Sequence, residues 1–321
     1  MEGGKELGCG NYGCVRTLDD LNSNQFNWIL FKADNKGKII QTVITNIDAF
    51  ISNYKNFIVF KSFKSSADET SQKQECANFD LIASNKIPNS VLYTQPNSNF
   101  TFSYIKCTLG SLVFYYPIMR VMDGEVYNAF PPKNTITFDL NMIKKLGSNV
   151  SSFLNKLHQI GYYHFDIKPE NILYKKDSKE NFIFSVTDYG FVNREYIGGT
   201  PGYLSPSLFQ TVDDYKTTNK NGIGIELVKN DNDLVKRLLN SKGVTDYFSY
   251  IRDKTKQNAA IAYVHTDNFA LGVTMLELVC CKYGIYSETT SLSNLLKFAD
   301  SQPNRSLLEY VIDIFQRYIM I

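Results

Sequence analysis

Apolar residues recur at helical spacing from Phe138 to Ile160. Ile143, Leu146, Val150, Phe153, Leu154 and Leu157 share one stripe, which predicts a buried helix stopped by Gly161. Similar periodicity predicts helices over about Ser66 to Ala83, over Asn232 to Leu239 and over Leu307 to Ile319. The run Phe269 to Cys281 is apolar all round and is headed by Asp267, so it predicts a helix buried on every face. Short segments rich in β-formers read as strands: Phe26 to Lys32, Phe57 to Lys61, Val91 to Tyr93, Leu112 to Met119 and Phe182 to Val186. Ile87-Pro88-Asn89, Pro131-Pro132 and the polar stretch Lys175 to Asn181 break the pattern as turns or loops.

With 321 residues the chain can bury a large core, as one two-lobed unit or as two modest domains. A net charge of +2, with acids and lysines interspersed, argues against specific nucleic-acid binding. The most apolar stretch is too short to span a bilayer and carries Glu277, so no membrane helix is expected. Six cysteines (Cys9, Cys14, Cys76, Cys107, Cys280 and Cys281) show no C-x-x-C pair or metal-ligand spacing. With no secretory leader in view, they read as reduced thiols of a cytoplasmic or nuclear protein.

The chemistry concentrates in Tyr163-His164-Phe165-Asp166-Ile167-Lys168-Pro169-Glu170-Asn171 and in Asp188-Tyr189-Gly190, seventeen positions after Asn171. An Asp, a Lys and an Asn on one short loop, with a second Asp after a hairpin, suit phosphoryl transfer. Asp166 can orient a hydroxyl, Lys168 can steady the transferring group, and Asn171 with Asp188 can hold Mg²⁺. These are the positioning and charge-neutralising groups that such a transfer needs. His-Phe-Asp-Ile-Lys-Pro-Glu-Asn resembles the catalytic loop of the eukaryotic-type protein kinases, and Asp-Tyr-Gly resembles their metal-binding triplet.

That resemblance implies an α+β, bilobal protein-kinase-like fold: a small β-rich N-lobe with one key helix and a larger, mainly helical C-lobe. One kinase domain over 1–321 is expected, with an N-lobe to 119, a hinge at 120–125 and a C-lobe over 126–321. It further implies ATP and Mg²⁺ as cofactors and a serine or threonine of a protein as acceptor, because Lys168 is similar to the serine/threonine-directed form of the loop.

Leu7-Gly8-Cys9-Gly10-Asn11-Tyr12-Gly13-Cys14-Val15 is a G-x-G-x-x-G-x-V loop whose amides can meet phosphate oxygens. Dinucleotide-binding folds use the same spacing, and Asp34 sits where such a fold places its ribose-binding acid. Val15 to Asn24 lacks the helical periodicity that fold demands, so the NAD-dependent reading ranks last. In the kinase reading Leu7, Gly8, Gly10, Gly13 and Val15 cover ATP, with Tyr12 at the tip of a hairpin; with only a few residues before Leu7, either the first strand is very short or the N-terminus is incomplete. A phosphate-clamping lysine must follow on a strand, braced by a helical glutamate. Lys32 and Lys61 both end strand-like runs. Lys61 is preferred, because Glu75 falls within about 40° of Phe79 and Ile82 on the buried stripe of the next helix. Asp34 to Tyr54 is then an insertion, and Met119 is a gatekeeper candidate beside the hinge, with the backbone of 120–122 expected to face adenine.

Three departures from the family pattern bear on activity. Phe165 stands where regulated kinases carry an arginine that pairs with a phosphate on the activation segment, so activity independent of loop phosphorylation is expected. Ser207 replaces a glutamate that would anchor the end of that segment through an ion pair. A polar insertion occupies 209–264. Thr200 is expected to touch Asp166 and Lys168, and Asp267 to hold the backbone of the catalytic loop. The alternative function is a catalytically weak pseudokinase that acts as a binding scaffold.

Overall fold

The computed structural model describes residues 6–9, 13–21, 26–64, 69–286 and 291–320. The chain divides into two compact units, one of Met1–Asp123 with Thr187–Val192 and the other of Gly124–Val186 with Asn193–Ile321.

The first unit is built on a seven-stranded antiparallel sheet. Its strands are β1 (Glu6–Cys9), β2 (Gly13–Thr17), β3 (Asn27–Ala33), β4 (Ile39–Ile44), β5 (Ile58–Phe63), β6 (Thr101–Leu109) and β7 (Leu112–Arg120), in the order β1-β2-β5-β7-β6-β3-β4. Two helices accompany them, α1 (Ile47–Tyr54) and α2 (Glu69–Ser84). Val15 lies opposite Lys61 where β2 pairs with β5. Gly13 is required there, since a Cβ would come 2.5 Å from the Ser62 carbonyl oxygen and 3.2 Å from Lys61 Cε. The 34–54 insertion is integral to this unit: β3 and β4 extend the sheet beyond β6, and Ile47 and Phe50 of α1 join Trp28, Leu30, Ile58, Phe60, Phe102 and Ile118 in one core.

Two expectations fail here. Val91 to Tyr93 is not a strand; the strand paired with β7 is β6, which begins eight residues after Tyr93. The stretch Thr101–Leu109 mixes polar and apolar residues on its buried positions, including Ser103, whose hydroxyl donates to Asp80 at 2.6 Å, so alternation is weak. Nor are all six cysteines reduced: Cys9 and Cys14 are antiparallel partners across β1 and β2 and form a disulfide. Sequence spacing alone does not reveal that register. Cys76, Cys107, Cys280 and Cys281 are free thiols.

The second unit is mainly helical. A three-stranded sheet, β8 (Gly124–Glu125), β9 (Ile172–Lys176) and β10 (Phe182–Val186), carries the turn 177–181 between its longer strands. The helices are α3 (Leu140–Gln159), α4 (Val212–Thr218), α5 (Ile223–Lys229), α6 (Asp233–Asn240), α7 (Tyr247–Thr255), α8 (Ala259–Lys282), α9 (Leu292–Ser301) and α10 (Ser306–Ile314), the last running into a wider turn over Phe315–Ile319. Asp139 caps α3, and its buried stripe is the one the periodicity marks. Helix α8 is the centre: His265–Asp267 and Phe269–Cys280 are buried without a break. The 209–264 stretch is folded rather than a solvated loop, because Tyr215, Ile223, Leu227, Val235, Leu239, Tyr247 and Ile251 are all fully or almost fully buried. Among the described residues no helix is long and apolar enough to cross a membrane.

Candidate active site

In the first unit, β5 ends by pointing Lys61 at α2. Lys61 Nζ lies 2.7 and 3.0 Å from the two carboxylate oxygens of Glu75 and 3.2 Å from Asp188 Oδ1. Burial weighs against the charge on Lys61, but the Glu75 and Asp188 carboxylates outweigh it and hold the ammonium above its ordinary range. Burial likewise pushes the Glu75 carboxyl up, with Lys61 opposing it. Glu75 is only 4% exposed, and an acid so placed has to be paired. Lys32 does none of this: its strand pairs with β4 and β6, and its ammonium sits 4.1 Å over the Phe100 ring.

Asp188 heads a short 3₁₀ turn, Tyr189–Phe191, and adopts φ 59°, a left-handed backbone that costs a non-glycine residue about 1–3 kcal/mol. The turn is fastened from α2. Asn78 donates both amide hydrogens, to the Tyr189 carbonyl at 2.7 Å and the Val192 carbonyl at 2.9 Å, and the Phe79 ring packs 4.8 Å from that of Tyr189. Met119 is 4% exposed on β7, and its sulfur accepts from the Thr187 hydroxyl at 3.6 Å. Leu7, Gly8 and Val15 lie on β1 and β2, whereas Gly10 and Tyr12 lie outside the described residues.

In the second unit, the loop between α3 and β9 brings Asp166, Lys168 and Asn171 together. Asn171 Nδ2 donates to the Asp166 carbonyl at 2.8 Å and to Asp166 Oδ2 at 2.9 Å. Lys168 Nζ stands 3.0 Å from Asp166 Oδ2 and donates to Thr200 Oγ1 at 2.7 Å. The Thr200 hydroxyl in turn donates to Asp166 Oδ1 at 2.5 Å. A threonine hydroxyl is thus already presented to the carboxylate, beside an ammonium. The amide nitrogen of Asn171 is committed to Asp166, which leaves the amide oxygen as its ligand atom. Oxygen donors of Asn and Asp type fit a hard cation such as Mg²⁺.

The loop is held from beneath by α8. Asp267 is fully buried; Oδ1 accepts from the Phe165 amide at 2.7 Å and Oδ2 from the His164 amide at 2.8 Å. His158 Nε2, near the end of α3, lies 2.8 Å from the same Oδ2. Phe165 adopts φ 63°. Its ring packs edge-on at 5.5 Å to Tyr196 and 5.2 Å to Tyr263, with Tyr163 completing the aromatic cluster. The segment after Tyr196 crosses the loop at Gly199, where a Cβ would meet the Phe165 carbonyl oxygen at 2.5 Å.

Ser207 is held without an ion pair. Its backbone amide donates to Ser205 Oγ at 3.1 Å and its hydroxyl to the Ala262 carbonyl at 3.1 Å. Ser205 Oγ lies 2.7 Å from His265 Nδ1, and His265 Nε2 lies 3.0 Å from the Ile319 carbonyl oxygen. A carbonyl only accepts, so Nε2 carries the proton and the Ser205 hydroxyl donates to Nδ1. Burial pushes the His265 pKa down to about 4, so this network is neutral. Nearby, the Tyr203 hydroxyl donates to Glu277 at 2.8 Å.

His158, Asn78 and His265 are absent from the sequence-based candidates. Each sits on a helix and bonds groups far away in the chain, and no local spacing signals it.

The model of the protein kinase domain family matches residues 1–229. The calcium/calmodulin-dependent protein kinase type 1 of Caenorhabditis briggsae is 31% identical over 121 residues, which cover 35% of this chain and 33% of the relative. The probable cAMP-dependent protein kinase catalytic subunit of Encephalitozoon cuniculi is 33% identical over 89 residues, 27% of this chain and 28% of that protein. The serine/threonine-protein kinase ksp1 of Schizosaccharomyces pombe is 28% identical over 113 residues, 32% of this chain and 23% of the relative. The matched segment therefore spans a third or less of each relative's length.

Proposed function

The chain belongs to the protein kinase family, and from that premise we propose that it is an active serine/threonine kinase that moves the γ-phosphoryl group of ATP to a protein hydroxyl. The observation that carries the proposal is the Thr200 hydroxyl hydrogen-bonded to Asp166 Oδ1, with Lys168 Nζ donating to that hydroxyl's own oxygen. By this reading a substrate hydroxyl in the place of Thr200 would offer its proton to Asp166 and have its developing charge met by Lys168. The bond formed is from the acceptor oxygen to the γ-phosphorus; the bond broken is from that phosphorus to the oxygen it shares with ADP.

In this reading Lys61, braced by Glu75, clamps the α- and β-phosphates, and Leu7, Gly8, Gly10, Gly13 and Val15 cover the nucleotide. Asn171 and Asp188 would hold Mg²⁺, which when bound neutralises the phosphate charge. Asp166 takes the hydroxyl proton, and Asn171 fixes the carboxylate that receives it.

Activity without loop phosphorylation is part of the proposal. The place of an arginine–phosphate contact is taken by the Phe165, Tyr196 and Tyr263 rings, which hold the segment with no added charge. Phosphatase-treated protein should keep its activity, and so should Tyr196→Phe, which retains the ring. Loss of activity on phosphatase treatment, restored by rephosphorylation, would remove this part.

The scaffold alternative draws on Phe165 and Ser207, but each departure has a local substitute, in the aromatic cluster and in the Ser205–His265 network. Two assays separate the readings: thermal stabilisation by MgATP, and radiolabel transfer from γ-labelled ATP to a generic basic protein. A kinase gives both. A scaffold gives no transfer above that of Asp166→Asn.

A further inference from the structure

Helix α2 offers three residues to the Asp188 segment from one face. Glu75, Asn78 and Phe79 fall at i, i+3 and i+4, the spacing that stacks side chains along a helix. Glu75 acts through Lys61, and Phe79 packs on the Tyr189 ring. Asn78 is 2% exposed and spends both of its N–H donors on carbonyls at either end of the Tyr189–Phe191 turn. A buried amide that donates to two carbonyls of this turn, one of which also accepts from the Val192 amide at 3.1 Å, fixes that backbone more narrowly than packing does.

The Tyr189 hydroxyl adds a second tie. The residue is fully buried, yet its oxygen accepts from the Val91 amide at 3.2 Å and is hydrogen-bonded by the Ser90 side chain. A plain phenyl ring would fill the same space without these bonds. The ring is therefore packed against Phe79 and held at its tip by the Val91 amide and the Ser90 side chain, while Asn78 grips the Tyr189 carbonyl.

We propose that Asn78 and the Tyr189 hydroxyl are positioning residues that latch the Asp188 turn to α2, keeping the Asp188 carboxylate beside Lys61 before nucleotide arrives. The inference rests on the reading of Asp188 as the ligand of the nucleotide-bound metal. In the unlatched state Asp188 leaves Lys61, and that state binds MgATP poorly. The apparent affinity then falls by the latched fraction, while saturating MgATP restores the latched form.

The test compares wild type, Tyr189→Phe and Asn78→Leu by steady-state kinetics, by nucleotide binding with and without Mg²⁺, and by hydrogen exchange of the amides of 188–192. Tyr189→Phe keeps the ring but loses the hydroxyl's bonds and should speed exchange at 188–192 about fivefold. Asn78→Leu, which loses two donors, should speed it about tenfold or more. KM for MgATP rises in the same order, by less than those factors because the latched fraction sets it, while kcat at saturation stays within twofold and binding of metal-free ATP is unchanged.

A lower melting temperature with KM for MgATP and exchange at 188–192 unchanged would assign both residues a packing role and overturn the latch. If wild type transfers no phosphate, the kinase reading fails by itself. Mg²⁺-dependent binding and exchange then still decide the latch, which is overturned if exchange at 188–192 is the same in all three proteins.

Discussion

The two ends of the stretch from Asp188 to Ser207 are held by opposite kinds of chemistry. At its start Asp188 is tied through charge, to a Lys61 that is itself paired with Glu75. At its end Ser205 and Ser207 are tied by hydroxyls, a neutral histidine and two backbone carbonyls. Buried ions are costly to desolvate, and a pair of them rarely gains much over a neutral contact. On the proposed function, charge is kept where a polyanionic nucleotide and a metal ion would be met. Where the chain has only to be held, hydrogen bonds suffice, and an expected ion pair can be dispensed with.

The contrast can be attacked first at its charged end. Lys61→Met should lower kcat/KM by roughly a hundredfold or more, because a preorganised cation facing developing charge is worth that much. The same change at Lys32 should leave kcat/KM within about twofold. Equal losses from both would mean that the pairing with Glu75 does not mark the nucleotide lysine.

Asp267→Asn comes next. The carboxylate accepts from two backbone amides and faces His158, and an amide cannot accept at both positions. A loss of about 3 kcal/mol of stability is expected, read as a lower urea midpoint, together with a fall in kcat. An unchanged midpoint would show that the catalytic loop does not depend on this anchor.

The neutral end gives a subtler effect, in pH. The His265 pKa is held at about 4 by burial, against 6.5 for an unperturbed imidazole. Between those values the unfolded chain takes up a proton that the folded chain refuses. Stability is therefore complete above about pH 6.5 and is lost as pH falls toward 4, by about 3 kcal/mol in all. His265→Gln keeps a donor and an acceptor but does not titrate. Urea unfolding of both proteins at pH 7.5, 6 and 5 should show the wild type losing stability faster as pH falls. Parallel curves would mean that His265 is charged in the folded chain.

Much of the candidate site is legible in the sequence because it is local. Asp166, Lys168 and Asn171 lie on one short loop, so they are neighbours once that loop is folded on α8. The choice of Lys61 rests on helix register, which is also local, and the structure pairs it with Glu75. Strand partnership is not local. That β3 lies beside β6 rather than β2, that 101–109 and not 91–93 forms a strand, and that Cys9 faces Cys14 all depend on register between separated segments. Asn78, His158 and His265 escape notice for the same reason: a polar side chain bonded to a group remote in sequence, a backbone carbonyl for Asn78 and His265 and the Asp267 carboxylate for His158, leaves no pattern along the chain.

The most direct test of phosphoryl transfer through Asp166 is a single-turnover measurement with γ-labelled ATP, comparing wild type with Asp166→Asn at saturating MgATP. Label should reach protein serine or threonine with wild type, while Asp166→Asn binds MgATP with near-normal affinity and transfers at least a hundredfold more slowly. Equal transfer rates from the two proteins would contradict the account.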